Sequence, residues 1–195
     1  MYGILGEDTS DVNTLKVIIR RLHQDERMQI SGKGYDGCAQ LLRKGARQLE
    51  AMVKLGCTRF IIAYDADDGD PSERRKEVQC KVVKPSGVGD KCCCIVIPVQ
   101  ELESWILADI AAVTRIISSW RPSPVAYPES IASPKEALEK LSRNSKHRPR
   151  YVHAMHNEQV AKYIDLAMVE RKCESFKPLK KFVVDNMANG LSKGT

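Results

Sequence analysis

Apolar positions follow two different periods along this chain, and each change of period marks a new element. "YGIL", residues 2 to 5, is a short apolar run closed by Gly6, which predicts a buried first strand. Val12, Leu15, Ile18 or Ile19, and Leu22 then fall at helical spacing, with Lys16, Arg20 and Arg21 on the other side and Ser10 placed as N-cap. "MQISGKGYDG" predicts a short strand and turn. Leu41, Leu42, Leu49 and Val53 form the apolar side of a second helix, stopped by Gly56. "TRFIIAYD" is almost continuously apolar, as a parallel strand covered on both faces must be. "SERRKEVQCKVV" starts as helix, and "CCCIVIPV" is a further buried strand ended by Pro98. "QELESWILADIAAV" is read as a helix with Leu102, Trp105, Ile106 and Ile110 or Val113 as its stripe.

The proline-rich stretch "WRPSPVAYPESIASP" divides residues 1–120, the expected core, from residues 121–195, an expected helical extension packed on it. "SPKEALEKL" opens a helix with Pro134 at its first position and a capping box of Ser133 and Glu136. Two more helices are expected in "NEQVAKYIDLAMVERK" and "SFKPLKKFVVDNMA", with the tail "NGLSKGT" frayed. Strands alternating with helices imply an α/β fold with an open, mostly parallel sheet flanked by helices. In such folds ligands gather beyond the carboxyl ends of the strands.

At 195 residues with 43% hydrophobic content the chain suffices for one compact core. No window approaches the ~20 apolar residues a membrane span needs, and "MYGILGEDTSD" turns acidic before a signal-like segment develops, so the expectation is a cytoplasmic protein without a membrane partner. The 7 cysteines lack paired C-x-x-C spacing, which argues against a disulfide framework or a structural zinc site and for reduced thiols. Lys and Arg exceed Asp and Glu by 31 to 25. The excess concentrates in "SERRKE", "SKHRPR" and "FKPLKK", apart from the acidic motifs, and is read either as a solvated face or as a surface for a polyanion.

The acids themselves fall where the ligand rule places them. Glu7 follows the first strand, Asp65 and Asp67 leave the third, Glu101 and Glu103 follow the fourth, and Asp11 lies on the first turn of the first helix. Each cluster alone has an ordinary structural role, as helix cap, polar turn or helix start. All of them at one sheet edge make a set of hard oxygen ligands for magnesium or manganese. "DADDGDP" is not an EF-hand loop: counted from Asp65 its glycine comes fifth rather than sixth, and Lys76 replaces the closing Glu. Glu101 and Glu103, two apart on a helix, cannot point the same way. Lys135 is either solvated or available to a transition-state oxygen. Trp105 is read as core. His153 and His156 share a helical face but lack an evident third ligand.

"GILGEDTSD", "FIIAYDADDGD" and "IPVQELESWILAD" together resemble a Toprim domain, the metal-binding fold of topoisomerases, primases, ribosomal-RNA maturases and overcoming-lysogenization-defect nucleases. "ELESWILAD" is most similar to a block in small stand-alone bacterial Toprim-like proteins linked to phage defence beside an ATPase partner. The resemblance covers about residues 2 to 110. It implies Glu7, Asp65 and Asp67 as metal ligands, with Asp11 as the additional acid of the nuclease branch. Gly69 stands where topoisomerases carry a further acid, which favours that branch and leaves Glu103, preferred over Glu101, as the remaining ligand. The implied activity is a Mg2+- or Mn2+-dependent nuclease acting on DNA or RNA, with Glu7, Asp11, Asp65, Asp67, Glu103 and Lys135 at its centre. Arg74, Arg75, Lys146, Arg148, Arg150, Lys180 and Lys181 are the candidate phosphate contacts. The alternative is a non-catalytic docking subunit of an ATPase complex.

Overall fold

The computed structural model describes residues 1–144 and 146–191. Strands β1 (Tyr2–Gly6), β2 (Ile30–Gly34), β3 (Arg59–Ala63) and β4 (Cys93–Val96) form one sheet in the order β2-β1-β3-β4, and every pairing is parallel. The fold is α/β, an open parallel sheet flanked by helices, as the pattern of the chain leads one to expect.

The order of the strands dictates where the helices go. Helix α1 (Thr9–His23) carries the chain from β1 outward to β2, and α2 (Cys38–Lys54) brings it back past β1 to β3. Right-handed crossovers in opposite directions put the two helices on opposite faces. The path from β3 to β4, through α3 (Pro71–Val78), a π-helical stretch (Gln79–Val83) and α4 (Lys84–Ser86), continues in the same direction as α2 and shares its face. Accordingly Val78, Val82 and Val83 pack with Leu41, Leu49 and Met52.

That leaves α1 alone over part of a wide sheet face. The remaining helices fill it: α5 (Glu103–Ala108), α6 (Pro134–Leu141), α7 (His153–Ala161), α8 (Leu166–Lys172) and α9 (Lys177–Leu191). Trp105, Tyr151, Val160, Phe176 and Val183 join one core with Ile4, Ile61 and Val96, so the C-terminal helices share the core of the sheet. The Trp105 indole is fully buried, meets Phe176 edge-on at 5.0 Å and donates to Ser175 Oγ at 2.8 Å. Strand side chains alternate between layers: Ile4, Ile61 and Val96 face α1, whereas Leu5, Ile62 and Ile95 face α2. Burial on both sides is why the strands read as unbroken apolar runs.

Several local expectations are corrected. The cap of α1 is Asp8, not Ser10: Asp8 Oδ1 accepts from the Asp11 N–H at 2.8 Å while Asp11 Oδ2 accepts from the Asp8 N–H at 3.3 Å. This reciprocal box starts the helix earlier and leaves Ser10 inside its first turn. Val53 is 48% exposed, and Met52 takes the buried position on α2. The helix after Pro98 is short, tightening beyond Asp109 into a 3-10 stretch (Ile110–Arg115). Ser133 caps α6 without a side-chain hydrogen bond, and Glu101 Oε2 instead accepts from the Lys135 N–H at 2.8 Å. The segment expected as one helix over 157–172 is two, α7 and α8, because Asp165 caps a new start with bonds from the Ala167 and Met168 N–H groups. In the tail expected to fray, α9 extends to Leu191, and residues 192–195 lie outside those described. The seven cysteines are free thiols, and no helix among the described residues is long and apolar enough to cross a membrane.

Candidate metal centre

The sheet reverses direction at β1, with β2 on one side and β3 on the other. Helices leave that point on opposite faces, so a crevice opens beyond the carboxyl ends of β1 and β3. Glu7 is the first residue past β1, and Asp65 lies two past the end of β3. Glu7 Oε1 accepts from the Asp65 N–H at 2.9 Å, which fastens the two strand ends together across the switch point.

Asp67 sits on a loop bent twice into the left-handed region, at φ 45° for Asp67 and 60° for Asp68. Such torsions disfavour a residue with a Cβ, and aspartate is among those that tolerate them best. Bonds within the turn and from the segment after β4 hold the bend. The Ala66 N–H donates to Pro98 O at 3.1 Å and the Gly69 N–H to Ala66 O at 2.7 Å. Gln100 both donates to Asp68 Oδ1 and accepts from the Asp68 N–H, at 2.9 and 3.1 Å. The turn therefore hangs on the segment that follows β4, and Asp67 is left exposed above Asp65.

Asp11 and Glu103 enter from the α1 face. Both are buried, 6% and 3% exposed, which for a carboxylate demands partners. Asp11 spends one oxygen on the Asp8 N–H. Glu103 Oε1 accepts from Asn157 Nδ2 at 2.9 Å, and the amide's own Oδ1 accepts from the Tyr151 hydroxyl at 2.6 Å. Glu101, by contrast, serves the first turn of α6 and lies 4.0 Å from Lys135 Nζ. Of the two acids after β4, Glu103 is the one that turns into the carboxylate group.

The electrostatics bind these residues into one cluster. Burial first, then the charges of Asp11, Glu7, Glu103 and Asp67, hold the Asp65 carboxyl well above its ordinary range. Asp11 is raised by burial and then by Asp8, Glu103 and Glu7. Glu7 is pushed up to about 7, chiefly by burial; the Asp65 N–H and Arg74 work against that rise, and Asp67 and Asp8 add to it. Lys135 supplies nearby positive charge: burial disfavours its ammonium, but Glu103, Glu101, Asp8 and Asp11 together outweigh this and raise its pKa. Six carboxylates thus share a field, from Glu7, Asp8, Asp11, Asp65, Asp67 and Glu103, with Lys135 at the edge.

This donor set is made of hard oxygens, the chemistry that suits Mg2+ or Mn2+ and discriminates against soft ions. Among the described residues no three His, Cys, Asp or Glu side chains form a ready cage, so the centre is a convergence of carboxylates rather than a preformed coordination shell. The imidazoles of "HAMH" do not add to it as a pair. His156 Nδ1 accepts from the Val152 N–H at 2.8 Å, and His153 Nδ1 faces Glu139 Oε1 at 3.8 Å.

Of the candidate phosphate contacts, Arg74 is near enough for its charge to act on Glu7. Its guanidinium stands over the Tyr64 ring at 5.7 Å, donates to Ala66 O at 3.2 Å and pairs with Glu77 at 3.7 Å. Arg75 donates to Ile95 O, and Arg150 to Ser119. Lys146 and Arg148 are exposed on the loop after α6. Lys180 and Lys181 pair with Glu170 and Asp185 on or beside α9. That helix sets Phe182 against Tyr2 and Asn186 against Arg59, at the starting edge of the sheet, opposite the carboxylates. The structure does not bring Lys180 and Lys181 to the centre.

Sequence reasoning named Asp8 only among the possible caps of the first helix and missed Gln100, Tyr151 and Asn157, which carry no local signal, since only the packing of distant segments gives them partners.

A family model described as a domain of unknown function (DUF4276) matches residues 7–183. No curated protein and no solved structure matches the chain. The matched span takes in all but the two ends of the chain, from Glu7 to Val183, so the chain belongs to the DUF4276 family.

Proposed function

We propose that this protein is a Toprim-like, metal-dependent nuclease that hydrolyses phosphodiester bonds of DNA or RNA, acting in anti-phage defence with an ATPase partner. The single observation that carries the reading is the bond between Glu7 and Asp65 across the β1/β3 switch point. A Glu after the first strand and an Asp-x-Asp after a later one are thereby neighbours in space, as the Toprim resemblance requires.

Glu7, Asp65 and Asp67 would hold the cations, with Asp11 and Glu103 completing the set from the α1 face. Divalent ions held by these residues would supply activation of a water and neutralisation of the charge on attacking and leaving oxygens. The chain's own contribution is placement. The Gln100 clamp fixes the Asp67 turn, and the sheet fixes Glu7 against Asp65. Lys135 and Arg74 flank the carboxylates with positive charge, where a phosphate approaching an acidic centre needs it.

The test is incubation of the purified chain, alone and with any ATPase that co-purifies with it, with Mn2+ or Mg2+ and a panel of single- and double-stranded DNA and RNA. Cleavage that requires the cation and disappears in a folded Asp65→Asn Asp67→Asn variant is the expected result. Absence of cleavage under every condition refutes the nuclease and leaves the docking subunit of an ATPase complex as the reading.

A further inference from the structure

Glu103 is the most deeply placed acid of the cluster, and the bond that orients it comes from the other end of the chain. Asn157 on α7 and Tyr151 just before that helix are both 0% exposed. They form a single file, Tyr151 hydroxyl to Asn157 Oδ1 at 2.6 Å and Asn157 Nδ2 to Glu103 Oε1 at 2.9 Å.

The direction of this file follows from donor and acceptor chemistry. Glu103 Oε1 takes the acceptor's part, so the amide presents its NH2 to Glu103 and its oxygen to Tyr151, and the hydroxyl donates. The phenol is itself locked. The backbone N–H of Tyr151 donates to Ser142 Oγ at 2.9 Å, and its ring lies against Trp120 and His156 at centroid distances of 6.2 and 5.3 Å. Flipping Asn157 would set its Oδ1 against Glu103 Oε1, acceptor against acceptor, and take from the buried Tyr151 hydroxyl the oxygen it donates to, a loss comparable to that of a whole hydrogen bond.

We infer that Tyr151 and Asn157 are positioning residues of the metal centre, holding Glu103 turned toward Asp11 and Asp65 so that the C-terminal helices are part of the site. The inference rests on the metal-binding reading above. Partners of this kind behind a ligating carboxylate fix its orientation, and losing one typically weakens metal affinity ~10–100-fold.

The experiment is calorimetric titration of the full chain with Mn2+ at pH 7.5, for the parent protein, Asn157→Leu and Tyr151→Phe, beside their melting curves. Asn157→Leu keeps the volume and removes the donor; the expected result is ~10–100-fold weaker Mn2+ binding. Tyr151→Phe removes only the hydroxyl, and a smaller loss of several-fold is expected. A purely structural contribution lowers the melting temperature and leaves the affinity of the folded protein untouched. Parent-like affinity in folded Asn157→Leu overturns the inference while the metal site stands. Should that variant not fold, Tyr151→Phe decides, and unchanged affinity there overturns it equally. A parent protein that takes up no Mn2+ removes the metal reading itself, and the inference with it.

Discussion

Replacing Glu7 by Gln separates the cost of gathering carboxylates from the chemistry they serve. Gln keeps an oxygen for the Asp65 N–H that Glu7 Oε1 now binds at 2.9 Å, and removes one charge from the cluster. In the folded protein the Glu7 carboxyl is raised from 4.5 to about 7, mainly by burial. A carboxyl raised by folding binds its proton more tightly in the native state. Stability is therefore lost as pH rises from about 4.5 to about 7, and the loss levels off above that. At ~1.4 kcal/mol per pH unit the rise is worth about 3 kcal/mol at pH 8 and under about 1 kcal/mol at pH 5. In metal-free buffer with chelator, Glu7→Gln is expected to melt higher than the parent at pH 8, by roughly 5–10 °C more than at pH 5. Differential scanning calorimetry at the two pH values measures this directly. Excess Mg2+ should close the gap by stabilising the parent and not the variant. A variant that melts no higher than the parent at pH 8, or one whose advantage is the same at both pH values, refutes the argument that Glu7 is held in a repulsive, desolvated cluster.

Gly34 gives a test of how the sheet sets the acidic loop. A Cβ at that position would lie 2.5 Å from backbone atoms of Asp8 and Thr9, the turn into α1. Gly34→Ala is expected to cost about 2–3 kcal/mol in urea denaturation and, by displacing the Asp8 cap, to weaken Mn2+ binding as well. Arg74→Ala should weaken nucleic-acid binding at low salt and reduce the slope of log affinity against log salt by about 1. The double variant Lys180→Ala Lys181→Ala, at the opposite edge, should leave that slope unchanged; filter binding over a salt series distinguishes the two.

The elements that make their own argument locally were legible in the chain. Apolar runs buried on two faces betray parallel strands whatever they pair with, and helices with one apolar side declare themselves by period. From those and the rule about strand ends, the gathering of Glu7 and Asp65 at one edge follows from chain order, because successive parallel strands joined by crossover helices all end there; that β1 pairs directly with β3 and so sets Glu7 on the Asp65 N–H was shown only by the fold. Fine capping was not legible. Asp8 displaces Ser10, and Glu101 displaces the Ser133 box, since each competition is settled by which acceptor the surrounding backbone leaves within reach.

What the sequence determined by itself was the layered α/β architecture and the sheet edge at which its acids collect, both consequences of periodicity and chain order. The tertiary structure alone decided that Glu101 is drawn off to the first turn of α6, that Lys180 and Lys181 lie away from the cluster, and that Tyr151 and Asn157 stand behind Glu103. These choices depend on which distant segments fill the sheet face that α1 leaves uncovered. A buried polar group takes whatever partner that packing delivers, and no pattern of neighbouring residues records it.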